Sequence, residues 1–209
     1  MAEKALKFPG LSSPPEPEKN KTLRVLYTIE ALMLIIMVVG GIFFTFSYLQ
    51  NSPRPFQAQK PVVIAGLVEA EKLAVIGKKG DFSFLRQDTG KFVNGRWSDN
   101  GHMFASNAGL GNWIEFSLPV PSPGQYKISV YLSQSYDYGI VAFSINGVPT
   151  GQTYDLYSNA VQSTGPQLLG TFSLETSQNR LRLEVIGKNP KSNSPYYQFG
   201  IDGIKLEKL

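Results

Sequence analysis

The chain offers few side chains able to do covalent chemistry. It has no cysteine, which excludes thiolate nucleophiles, disulfides and thiolate-ligated metal sites. His102 is its single histidine, in a segment, 98–107, that reads as a solvent-facing loop. A histidine-activated nucleophile would have to use it, and nothing nearby has the strand–turn–helix sequence of a nucleophile elbow. Asp99, Glu115, Asp137, Asp155 and Asp202 are the candidates for the acid and base pair of glycoside hydrolysis. None sits in a motif that sets one carboxyl against another, so no catalytic residue is assigned and the chain reads as a non-enzyme.

Aromatic rings are plentiful where catalytic groups are scarce. Trp97, Trp113, Tyr136, Tyr138, Tyr154, Tyr157, Tyr196 and Tyr197 fall largely beside turn residues. An exposed ring can stack on the apolar face of a sugar, or anchor a protein interface with few rotatable bonds. Trp113 and Tyr126 lie within strand-like runs and read as core. Tyr136, Tyr138, Tyr196 and Tyr197 read as the surface contacts.

The elements that must position these groups are of two kinds. Residues 31–49 (ALMLIIMVVGGIFFTFSYL) carry no charge, Pro, Asn or Gln. As a helix this run spans about 28 Å, close to the hydrocarbon thickness of a bilayer. It is longer than the apolar region of a signal peptide and lacks a small-residue cleavage pattern, so an uncleaved anchor is expected. Lys4, Lys7, Lys19, Lys21 and Arg24 precede it, and Arg54, Lys60 and Lys72 follow. This bias places the N-terminus in the cytoplasm and the rest of the chain outside the inner (cytoplasmic) membrane. Gly40, Gly41 and Thr45 form a small-residue notch where a second helix could dock.

Four segments are expected: a Pro-rich cytoplasmic tail (1–22), a transmembrane helix (23–49), a polar linker (50–61) and an extracytoplasmic β domain (62–209). In the last, candidate strands are 67–72, 82–86, 113–118, 125–133, 140–145, 167–174, 180–186 and 198–206. Tyr126, Ile128, Val130 and Leu132 alternate with Lys127, Ser129, Tyr131 and Ser133, the period of a half-buried strand. Leu181, Leu183 and Val185 alternate in the same way with Arg182 and Glu184. Pro123-Gly124, Asn146-Gly147 and Gly165-Pro166 punctuate these runs. Many short strands and no helical period predict an antiparallel β-sandwich, or jelly roll, behind one transmembrane α-helix. The net charge of +4 is small and its basic residues are scattered, so nucleic acid is not an expected partner.

One succession of motifs points further. Val68-Glu69-Ala70-Glu71 is followed by Trp97-Ser98, Gly111-Asn112-Trp113-Ile114-Glu115-Phe116 and Pro123-Gly124-Gln125-Tyr126. Tyr138-Gly139-Ile140-Val141, Ile145-Asn146-Gly147 and Tyr154-Asp155-Leu156-Tyr157 come next. Gly187-Lys188-Asn189-Pro190 and Phe199-Gly200-Ile201-Asp202-Gly203-Ile204-Lys205-Leu206 close the chain. Over 62–209 this resembles the galactose-binding-like jelly rolls that serve as carbohydrate-binding modules and as accessory domains of glycoside hydrolases. The resemblance implies a structural Ca²⁺ held by Glu69, Glu71 and Asp202, an oxygen-rich set suited to a hard cation. It also implies glycan as a ligand, although the fold hosts protein-binding and purely structural domains too.

Two functions are therefore expected. The first is a non-catalytic accessory or scaffolding subunit that stabilises a larger membrane complex, for which a bacterial photosynthetic reaction centre with its antenna, or another energy-transducing assembly, is one setting. Its partners would be other membrane subunits and the bilayer, reached through the helix and the sandwich. The alternative is a membrane-anchored carbohydrate-binding module at the cell surface.

Overall fold

The computed structural model describes residues 19–51, 62–92 and 94–209, with the side chains of the helix described over 24–44. The tail 1–22 and the linker 50–61 lie mostly outside the described residues. The helix and the β domain form two separate compact units.

Helix α1 (Lys19–Asn51) contains no proline, and its Leu, Met and Ala residues favour helical backbone. Within it Arg24–Phe44 has a mean hydropathy of 2.3 and none of its side chains is buried. A helix apolar on all sides has nothing to face except lipid or another apolar surface. By length and composition it can cross a membrane.

The β domain is a sandwich of two antiparallel sheets. The first sheet orders β3 (Ser83–Asp88), β4 (Gly101–Ser106), β11 (Phe199–Lys208), β6 (Gly124–Gln134) and β9 (Gln162–Leu174), with β1 (Leu67–Glu69) also paired to β11. The second orders β2 (Val75–Lys79), β5 (Trp113–Ser117), β10 (Arg180–Lys188), β7 (Gly139–Ile145) and β8 (Val148–Asp155). The alternating residues fill the space between them. Ile128, Val130 and Leu132 from β6 meet Ile114 and Phe116 from β5, Val141, Phe143 and Ile145 from β7, and Leu181, Leu183 and Val185 from β10 in one core. At roughly 25 cal/mol per Å² of apolar surface removed from water, this layer is the main stabilising element.

Several expected elements need correction. The strand expected at 67–72 ends at Glu69, where Ala70–Lys72 turns into a single 3-10 turn that buries Ala70. Glu69 and Glu71 are therefore not same-face neighbours on a strand. Three strands carry no period-2 signal. β4 is buried along both faces at Gly101, His102 and Ala105, so apolar and polar residues do not alternate. β2 and β8 are edge strands and mostly exposed. Pro149 within β8 is tolerated because an edge strand has one unpaired side. Asn146-Gly147 is a hairpin turn, as expected, with φ of 52° and 83° at its two residues. Gly165-Pro166 is not a turn between strands but lies inside β9, beside register shifts in its pairing with β6.

Candidate functional site

Three loops meet at one end of the sandwich: 135–138 between β6 and β7, 156–161 between β8 and β9, and 189–198 between β10 and β11. Backbone bonds tie them together. Ser135 N–H donates to Leu156 O (3.0 Å) and Ser158 N–H to Ser135 O (3.1 Å). Gly139 N–H donates to Gln198 O (2.8 Å), and the Ser192 hydroxyl donates to Tyr136 O (3.0 Å). Between them lies a cleft of about 500 Å³. The first loop lines it with Tyr136 and Asp137, the second with Tyr157, and the third with Lys191, Asn193, Ser194, Tyr196 and Gln198.

Tyr136 and Tyr196 are 62 % and 44 % exposed, and their rings are available to a ligand. The Tyr157 hydroxyl donates to Asn159 Oδ1 (2.8 Å), which orients the third ring. Asp137 Oδ2 accepts a bond from Gln198 Nε2. Its Oδ1 is buried and no donor among the described residues reaches it. A buried acceptor without a donor costs about 1–3 kcal/mol, so this oxygen is a local cost within the loop cluster.

The structure brings Tyr136 and Tyr196 to one cleft as exposed rings and sets the other two tyrosines, Tyr138 and Tyr197, apart from it. Tyr138 is only 3 % exposed. Burial, and then the charge of Asp137, push its hydroxyl well above the ordinary range. Tyr197 is half-buried under Lys188, whose Nζ stands 5.1 Å from the ring centroid. Tyr136 lies in a turn and Tyr196 in a bend, whereas Tyr138 is drawn into an isolated bridge with Gln198. Asn193 and Gln198 had no motif to mark them. The signal that could have found them is the polar, Pro-containing stretch 189–198, in which two tyrosines stand just before Gln198.

His102 corrects a second expectation. It is on β4, not in a solvent-facing loop, and is fully buried. Its Nε2 lies 2.8 Å from Gln87 Oε1, an acceptor, so the ring proton sits on Nε2. Nδ1 then accepts from the Ser133 hydroxyl, and Ser133 Oγ accepts from Trp97 Nε1 (2.8 Å). Burial, with a smaller effect from Arg86, lowers the imidazole to about 4. Rings at centroid spacings of 5.8–6.1 Å run Phe92, Trp97, His102, Phe104, Tyr138. This ladder leads from the β3–β4 loop to Tyr138, the residue after the cleft's Asp137. Trp97 is therefore buried scaffold. Trp113, expected in the core, is half-buried with the Arg182 guanidinium 4.0 Å above its ring.

The expected calcium ligands lie close to one another. Ser98 joins two of them, its N–H donating to both Asp202 carboxylate oxygens (3.2 and 3.1 Å) and its hydroxyl to Glu69 Oε1 (2.5 Å). Burial, and then the charges of Glu69 and Glu71, raise Asp202 to about 7 against the bond from Ser98. Glu69 Oε2 and Glu71 Oε2 are buried and meet no donor among the described residues. Glu71 Oε1 is drawn to Arg86 Nε at 3.3 Å. The charge excess and the bare oxygens suit a hard cation. Yet among the described residues no three acidic or imidazole side chains form a ready metal cage. The first fact describes the charge of the site and the second its present geometry, with Glu71 turned to Arg86.

The other carboxylates are dispersed. Glu115 pairs with Arg182 (3.1 Å) across β5 and β10, and Asp155 Oδ2 accepts from Asn189 Nδ2 (2.6 Å). Asp99 is an exposed turn residue with φ 50°. On the helix, a Cβ added at Gly40 or Gly41 would meet nothing within 4 Å. The side chain of Thr45 lies outside the described residues.

No described protein family and no curated protein matches the sequence. Solved structures do resemble it. A Paenibacillus xanthan lyase aligns with a TM-score of 0.56 and 24 % identity over 72 % of this chain. The chain spans 14 % of the length of that lyase. A family 35 carbohydrate-binding module from Clostridium thermocellum aligns with a TM-score of 0.43 and 14 % identity, covering 72 % of this chain and all of the module. Another family 35 module, from an environmental isolate, gives 0.43 and 16 % over 68 % of this chain and 91 % of that one. The lyase alignment establishes a shared sandwich fold.

Proposed function

We propose that the chain is a membrane-anchored, non-catalytic sugar-binding module. The observation that carries this reading is the cleft in which Tyr136, Tyr157 and Tyr196 meet Asp137 and Asn193. Rings provide flat apolar surface for a pyranose, and the amide and carboxylate provide oriented bonds to its hydroxyls. The fold shared with part of a xanthan lyase adds support, since xanthan is a polysaccharide. The helix anchors the module in the inner membrane, with the N-terminus cytoplasmic and the sandwich outside.

In this reading Glu69 and Asp202 hold a structural Ca²⁺, and Glu71 joins them by releasing Arg86. The cation would offset their charge and brace Ser98, hence the loop that supplies Trp97. Sugar contact belongs to the tyrosine cleft.

The test is retardation of the full chain in native gels cast with polysaccharides. A detergent without a sugar headgroup is required, because a maltoside would compete. Retardation is expected, and Tyr136→Ala with Tyr196→Ala should weaken it at least tenfold. An unretarded protein would refute the reading.

A second reading is a subunit of a larger membrane assembly, motivated by the small-residue pair Gly40-Gly41 on an apolar helix. It predicts fixed-stoichiometry partners after mild extraction, lost on Gly41→Leu. A photosynthetic or other energy-transducing setting draws no support from the fold or its likenesses.

A further inference from the structure

The acid cluster around Ser98 already has a cation of its own. Arg86 projects from β3 and lies across Gly101 of β4, its neighbour in the sheet. A Cβ at Gly101 would stand 2.5–2.8 Å from the Nη2, Cζ and Nε of Arg86, so only glycine leaves this seat open. From it Nε donates to Glu71 Oε1 (3.3 Å) and Nη2 to Asp99 O (2.9 Å). Among the described residues no other basic side chain pairs with Glu69, Glu71 or Asp202. A guanidinium keeps its proton at any ordinary pH, so this contact is lost by displacement and not by titration. The Arg86 side chain is 44 % exposed and that of Glu71 19 %, so water already competes for the pair.

One guanidinium does not complete the cluster. It reaches Glu71 Oε1 alone, while Glu69 Oε2 and Glu71 Oε2 stay buried without a donor among the described residues. Those oxygens suit a hard divalent cation, but Arg86 would stand beside it as a like charge and holds one oxygen that it needs. We infer, as an extension of the calcium reading above, that Arg86 is the resident counter-ion of the cluster and sets its calcium affinity. Paired with Glu71, Arg86 ties β3 to the 3-10 turn when no metal is bound. Its charge raises the Ca²⁺ concentration at which Glu71 changes partner.

The experiment follows thermal unfolding of the full chain in detergent, from excess EGTA to about 10 mM free Ca²⁺. Arg86→Gln should unfold below wild type in EGTA, because the cluster has lost its counter-ion. Its half-maximal Ca²⁺ concentration should lie lower than that of wild type by a factor of about five or more. Concentrations within about twofold of each other would overturn this inference and leave the calcium reading standing. If Ca²⁺ moved neither protein, the calcium reading would fall and this inference with it. A second readout needs wild type alone and decides even if the variant does not fold. Phenylglyoxal attacks free guanidinium groups, and peptide mapping reports the rate at each arginine. Arg86 should react about threefold faster or more in Ca²⁺ than in EGTA, with the exposed Arg180 as reference. An unchanged Arg86 rate, where Ca²⁺ does raise the unfolding temperature, would overturn this inference alone.

Discussion

At the scale of single residues, burial decides which groups carry information about pH. The His102 imidazole sits at about 4, lowered mainly by burial. In the unfolded chain a histidine titrates near 6.5. The unfolded state therefore binds the proton more readily throughout this window. The stability that neutral His102 contributes is complete above pH 6.5 and is lost as the pH falls toward 4. Asp202 runs the other way. Its carboxyl is raised to about 7, so the stability it contributes is present at low pH and is lost as the pH rises through 7. An Asp202→Asn background isolates the histidine. In that background the free energy of urea unfolding should fall by about 1–3 kcal/mol between pH 7 and pH 4.5. Adding His102→Gln should flatten the dependence. A slope that survives in the double variant would assign it to other groups.

His102 also shows what the sequence hid. A histidine between Gly101 and Met103, flanked by Asp99 and Asn100, has every local mark of a loop. Its burial depends on Ser133 and Trp97, 31 and 36 positions away from their partners, and no local pattern encodes such pairings. Tyr136 and Tyr196 were legible as surface rings because turn residues surround them. Their meeting with Tyr157 in one cleft was not legible, because three separate loops create it.

At the scale of elements, two close approaches hold the first sheet together. Gly200 on β11 lies between β4 and β6, and a Cβ there would meet His102 Nδ1 at 2.6 Å and the Ser133 Cβ at 2.9 Å. Gly200→Ala should therefore break the Ser133–His102 contact and destabilise the domain by about 2–4 kcal/mol, read from the denaturation midpoint. Wild-type stability in that variant would mean that the sheet relaxes freely. The second approach is the joint of β1, the 3-10 turn and β11 around Ser98. If calcium occupies it, millimolar Ca²⁺ should raise the unfolding temperature by several degrees at pH 7.5. Glu69→Gln and Asp202→Asn should each abolish the increment. An equal increment in wild type and variants would place the effect elsewhere.

The same scale explains which strands could be read. β7 and β10 bury one face each, and β6 buries apolar residues on one face and the small Ser129 and Ser133 on the other, so polar and apolar residues alternate along all three. β4 is covered on both faces, while β2 and β8 lie at sheet edges, and each lacks the pattern for its own reason. The fold class survived these losses because the interior strands carry the core.

At the scale of the whole molecule, the helix and the sandwich answer to different solvents. Arg24–Phe44 is long and apolar enough to cross a membrane, and the proposed anchoring makes a prediction about sidedness. Orientation is directly measurable because the chain lacks cysteine. Single substitutions Ala2→Cys and Thr153→Cys would report the two sides to a membrane-impermeant maleimide in intact cells. Labelling at position 153 and protection at position 2 is the expected result. The reverse would invert the topology. Equal labelling of both would argue against a spanning helix.

The tyrosine cleft carries the proposed function, and the most direct measurement is glycan-array binding by the full chain in liposomes, wild type beside Tyr136→Ala/Tyr196→Ala. Wild-type liposomes should be retained on a set of glycans, and the double variant should lose at least nine-tenths of that signal. Wild-type liposomes that bind no glycan, or a double variant that binds as well as wild type, would contradict it.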